Sequence, residues 1–148
     1  MRGLIALTAL GVLSLTPAPT FEVTVSNEGG QTLWSLPAGP GAWLALAYVN
    51  SIYLAPTEEI LVVTQDGFTL TAVRSTSEAV LAYNGLPGPY RRDGVFLVAP
   101  AARHLRQIVL RVGHTGRPRL RMGSEDLPLY TAGEGARLTI AVGTSPRR

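Results

Sequence analysis

The sequence predicts an all-β protein, a single antiparallel β-sandwich or partly closed β-barrel of about ten short strands with one short helix. Three observations lead there. Apolar runs of four to ten residues recur between clusters of Gly, Pro, Asn and Asp, which is strand spacing rather than helix spacing. The 16 Gly and 11 Pro in 148 residues would break a helical bundle repeatedly. No helical stretches lie between the strand-like runs, as a parallel α/β sheet would require. At this length one domain with a real core is expected, and the 46% hydrophobic content excludes a disordered chain.

The elements follow in order. Arg2 is the last charge before Glu22, and Gly3 to Leu15 is almost wholly apolar before Pro17 and Pro19 interrupt it. A short positive start, an apolar stretch of this length and a small-residue exit predict an export signal over 1–20, or an uncleaved anchor. A spanning helix would need about 20 apolar residues. The β domain is expected over 21–143, with 144–148 as a flexible tail.

Phe21, Val23 and Val25 alternate with polar residues, and Asn27-Glu-Gly-Gly30 turns the chain into Thr32–Leu36. Pro37–Gly41 reads as a loop. Ala42–Ser51 is apolar on both faces and therefore central. Glu58–Gln65 and Phe68–Arg74 flank Asp66-Gly67, the clearest hairpin signal in the chain. Ser75-Thr-Ser-Glu78 has capping-box spacing for a helix over 79–83 that Gly85 ends. Val95–Ala99, Leu105–Val112, Arg119–Met122, Leu127–Tyr130 and Arg137–Val142 supply the remaining strands.

Chemistry is sparse. Absence of Cys removes disulfides, thiolate metal sites and cysteine nucleophiles. No nucleophile elbow, paired-histidine zinc motif, phosphate-binding glycine loop or calcium loop is present. His104 and His114 have no partners at ligand spacing. Neither a metal nor a cofactor is expected, and no catalytic residue is assigned.

Two groupings remain. In the first, Tyr48, Asn50 and Ser51 end a strand, and Glu58 and Glu59 open the next. Adjacent strand residues face opposite ways, so one glutamate should point inward or onto the rim. Such a carboxylate needs a partner, and Arg74 across the hairpin is the natural one. The cluster is either a structural network or a polar pocket of Tyr48, Asn50, Ser51, Glu58 or Glu59, and Arg74. In the second, six of the 13 arginines fall between Gly94 and Ser124 with no acid among them, and the chain has no lysine. Arg111, Arg117, Arg119 and Arg121 are the candidates for a surface meeting an anionic partner, with a solvated face that discourages edge pairing as the alternative. Nucleic acid is disfavoured because the stretch lacks interleaved aromatics.

Trp34-x-x-Pro37, the following Gly-rich loop, Ala42–Ser51 and Pro56-Thr-Glu-Glu-Ile60 resemble the DUF1850 family. The similarity runs from about Trp34 to the last strand and includes the Leu105–Val112 stretch with its Gly-Thr turn. The resemblance implies a small exported protein encoded beside TAXI-type TRAP carboxylate transporters. Its partners would then be the solute-binding or membrane subunits of such a system. Many members carry His-Ser where this chain has Asn50-Ser51, so chemistry resting on that histidine would be absent here. The resulting expectation is a non-enzymatic accessory of organic-acid uptake. The alternative is a β-barrel binding a small carboxylate or lipid, with the membrane reached only through an uncleaved N-terminal anchor.

Overall fold

The computed structural model describes residues 21–144. The expected export signal or anchor over 1–20 and the tail beyond Thr144 lie outside the described residues. In chain order the strands are β1 (Phe21–Asn27), β2 (Thr32–Ala38), β3 (Trp43–Asn50), β4 (Ala55–Thr64) and β5 (Gly67–Ser75). After helix α1 (Glu78–Tyr83) come β6 (Arg91–Asp93), β7 (Phe96–Leu105), β8 (Gln107–Arg111), β9 (Arg119–Met122), β10 (Glu125–Leu127) and β11 (Arg137–Thr144). They form two open antiparallel sheets, ordered β2-β1-β11-β8 and β10-β9-β3-β4-β5-β7-β6. Of the two expected architectures this is the sandwich, because neither sheet closes on itself.

Alternation decides which side chains meet between the sheets. Val23 and Val25 of β1, Ile108 of β8 and Leu138 and Ile140 of β11 form one inner face. Leu44, Leu46, Leu61, Val63, Phe68, Leu70 and Leu120 form the other. Each fully buried side chain of this size contributes roughly 1.5–3 kcal/mol. β3 lies between β9 and β4, the interior place its two apolar faces predicted.

Several local expectations change, among them the hairpin turn, which lies at Gln65-Asp66 rather than Asp66-Gly67. Leu105–Val112 is not one strand: β7 stays in the large sheet through Leu105, the chain bends at Arg106, and β8 joins the small sheet. Apolar patterning cannot see such a corner, because both halves bury the same kinds of side chain. Leu127–Tyr130 is also divided, into the end of β10 and a 3-10 helix over Leu129–Ala132 that buries Leu129. The helix does form, and Gly85 follows it at φ 72°, but Ser75 is a buried residue of β5 rather than its cap. Finally, β11 runs one residue past the expected boundary of the domain, through Thr144.

Ser75 has a different task. Its hydroxyl lies 3.0 Å from that of Thr57, donates to the Pro56 carbonyl at 3.2 Å and accepts the Ser77 N–H at 3.2 Å. Thr57 and Ser75 are the only fully buried polar residues among those described. Together they hold the start of β4 against the end of β5, below the candidate site. Thr57→Val keeps the shape and deletes one hydroxyl, so it should cost about 1–2 kcal/mol, measurable by urea denaturation.

Candidate functional site

Glu58 and Glu59 do face opposite ways, and this divides the expected cluster in two. Across the large sheet, Arg119 of β9 is opposite Ala47 of β3, which is opposite Glu58 of β4, which is opposite Arg74 of β5. All point to the outer face. The small Ala47 lets longer side chains reach over it, and an alternating ladder of charge results. Asp126 takes Arg119 through two 2.9 Å bonds, and Arg121 donates to Glu58 at 3.1 Å. Arg74 lies 3.3 Å from both Glu58 and Asp93, with its guanidinium 4.2 Å from the centre of the Phe96 ring. Arg117 stacks over Tyr130 at 4.3 Å.

Two of the four arginines expected to form a cationic surface are therefore taken up by carboxylates. Arg119 and Arg121 do share one outer face, as alternation required, but Asp126 and Glu58 pair with them there. The hydrogen bonds from Arg119 hold the Asp126 carboxyl below the usual carboxylate range, and reciprocally raise the pKa of Arg119. Arg111 stands apart in the small sheet, donating to the Gly135 carbonyl at 2.9 Å.

The inner face holds the other half. Tyr48 and Glu59 point between the sheets, and the Tyr48 hydroxyl donates to Glu59 Oε1 at 2.9 Å. Burial pushes the pKa of both groups up. The neighbouring Glu59 charge raises the tyrosine further, so Tyr48 stays an O–H donor. The Tyr48 bond and the charge of Arg103 only partly offset the rise at Glu59. This carboxyl is thus easier to protonate than an exposed one.

Tyr48 and Glu59 line an open pocket of about 470 Å³ at the end of the sandwich. Leu46, Ile108 and Leu110 provide apolar wall, while Asn50, Ser51, Arg111, His114 and Thr115 add polar groups. Asn50 also fixes the turn into β4, its Oδ1 accepting the N–H groups of Ile52 at 3.0 Å and Tyr53 at 3.1 Å. Beyond it Ile52 and Leu54 stand exposed at the loop tip. Of the expected pocket residues, Tyr48, Asn50, Ser51 and Glu59 come together there. Glu58 and Arg74 do not, because the strand alternation that turns Glu59 inward turns them outward. Arg111, assigned from sequence to a surface, lines the pocket instead. Ile108, Leu110 and Thr115 were not legible as pocket residues. The one available signal was the Gly113-His-Thr-Gly116 turn, whose Gly116 carbonyl accepts the Val49 N–H at 2.8 Å.

Among the described residues no three His, Asp or Glu side chains gather as a metal site. His104 and His114 each have one carboxylate nearby, Asp66 at 3.6 Å and Glu134 at 3.9 Å, on exposed surface. No described helix is long and apolar enough to cross a membrane. Fold and site together define an antiparallel β-sandwich with one acid–phenol pair at the wall of an open, ligand-sized pocket. Comparison with family models, curated proteins and solved structures finds no match to this chain.

Proposed function

We propose that this protein is a non-enzymatic extracytoplasmic binding module that holds a small organic acid in the pocket between β3 and β8, in the service of a TAXI-type TRAP uptake system. One observation carries the binding part: the pocket contains a partly buried carboxyl, Glu59, whose only hydrogen bond among the described residues is to Tyr48, whereas Glu58 is taken up by two arginines outside. Such a pocket suits a ligand with an apolar body against Leu46, Ile108 and Leu110. Its carboxylate would turn toward Arg111 and His114, and a hydroxyl or protonated group toward Glu59. The transport setting and the export rest on the DUF1850 resemblance and the apolar N-terminus. Deletion of the gene should then lower organic-acid uptake, and unchanged uptake would count against that setting.

Thermal denaturation with a panel of mono- and dicarboxylates tests the pocket directly. A ligand present at about 100 times its Kd adds roughly 2.7 kcal/mol to stability. Glu59→Gln keeps the acceptor for Tyr48 but never ionises. Folding favours the protonated form of Glu59, so that contribution is complete below the ordinary carboxyl pKa of 4.5 and is lost as pH rises through the higher folded value. The variant should therefore match wild type near pH 4 and melt at an equal or higher temperature at pH 7. Ligand affinity should fall by about tenfold or more with the loss of one charge-assisted bond. Unaltered affinity in a folded Glu59→Gln protein would remove the pocket from the proposal.

A further inference from the structure

Four strands form the edges of the two sheets among the described residues: β2, β8, β10 and β6. An exposed edge offers unpaired N–H and C=O groups to another strand, and proteins usually obstruct it. β10 and β6 are three residues each. β2 contains Pro37, and its pairing with β1 shifts register between Val25 and Ser26. β8, Gln107-Ile-Val-Leu-Arg111, has neither proline nor register shift in its pairing with β11.

The free side of β8 can be read from its neighbours. The Val112 N–H donates to Ala136 O and the Val112 carbonyl accepts from Gly135 N, both at 2.8 Å. Val112 thus turns its backbone toward the chain leading into β11. Alternate residues of an antiparallel strand face the same neighbour, so Leu110 and Ile108 also bond toward β11. Gln107, Val109 and Arg111 present their N–H and C=O groups outward. Val109 is in addition 44% exposed, one of the few large apolar side chains left in water.

We propose that β8 pairs antiparallel with β8 of a second copy of this chain about a two-fold axis at Val109, joining the two small sheets into one of eight strands. The strand is complementary to itself in that register. Val109 stands opposite the partner's Val109, covering both exposed side chains. Ile108 stands opposite the partner's Leu110, apolar against apolar. Gln107 stands opposite the partner's Arg111, an amide oxygen facing a guanidinium, so no like charges meet. Val109 with its counterpart, and Gln107 with Arg111 in both directions, form three hydrogen-bonding pairs. Val109 and Arg111 also line the pocket, so the second copy would stand at its mouth.

The chain has no cysteine, so single introduced thiols report the pairing without background. Cα atoms of a hydrogen-bonded antiparallel pair lie about 5.5 Å apart, within disulfide range. The full-length protein carrying Val109→Cys should oxidise to a covalent dimer in cells. Val95→Cys, exposed elsewhere at 74%, should not. Gln107→Cys and Arg111→Cys should cross-link when co-expressed, but neither to itself. Val109→Lys puts two ammonium groups face to face and should halve the mass found by light scattering. Co-expression of Val109→Lys with Val109→Asp should restore it. Equal cross-linking by the Val109 and Val95 variants would overturn the pairing. So would self-linking of Gln107→Cys, or capture of a different protein by the Val109 thiol.

Discussion

Gly67→Ala should cost more than about 4 kcal/mol, enough to lower the melting temperature by roughly 15 °C in a domain of this size. Two independent reasons combine. Gly67 has φ 148°, a conformation that residues with a Cβ rarely adopt. A methyl group there would also land on the Leu105 carbonyl oxygen and within 2.8 Å of Arg106 Cα. Those two residues are the corner where the chain leaves the large sheet and enters the small one, so no flexible side chain can yield. The turn residues are Gln65 and Asp66, since Thr64 pairs with Gly67. Denaturation of Gly67→Ala beside Gly94→Ala, where a Cβ meets nothing within 4 Å despite φ 61°, separates the backbone clash from the cost of positive φ alone.

The second large effect is expected at Glu58. Its side chain is 19% exposed and lies between Arg74 and Arg121. Glu58→Ala leaves two guanidinium groups facing one gap, while the buried Arg74 Nε, which makes no hydrogen bond among the described residues, loses its nearby carboxylate. Breaking a fully buried pair costs about 3–5 kcal/mol, and partial solvent access here reduces that to roughly 2–3 kcal/mol. Asp126→Ala, at the more exposed end of the ladder, should cost clearly less than Glu58→Ala. Urea denaturation of both variants at low and high salt checks the ordering, and the Asp126 effect should shrink more with salt. Equal losses for the two variants would mean that the ladder has no centre.

These two positions also show what could be read from the sequence. Asp66-Gly67 made the hairpin visible in the sequence, but the turn itself falls one residue earlier, at Gln65-Asp66, with Gly67 already paired in β5. The contact that makes Gly67 irreplaceable was not visible, since Leu105 and Arg106 lie some forty positions away. Likewise the opposite orientation of Glu58 and Glu59 followed from strand alternation alone, and the link from one glutamate to Arg74 followed from the hairpin. Which glutamate that would be depended on which face of β4 met the other sheet. The acid-free arginine stretch looked like a free cationic surface because a linear sequence does not reveal that Glu58 and Asp126 come alongside it.

The sequence by itself therefore determined the class of fold, most strand positions, the central place of Ala42–Ser51 and the presence of one inward carboxyl. All of these depend on period-two patterning and turn chemistry, which act over a few residues. Only the tertiary structure decided that the chain forms a sandwich, that Arg111 rather than Arg74 joins Tyr48 and Glu59, that Arg119 and Arg121 are paired with carboxylates and that β8 is left as an edge. Each of those depends on which strands become neighbours. That choice is made by packing and backbone pairing between residues far apart in the chain.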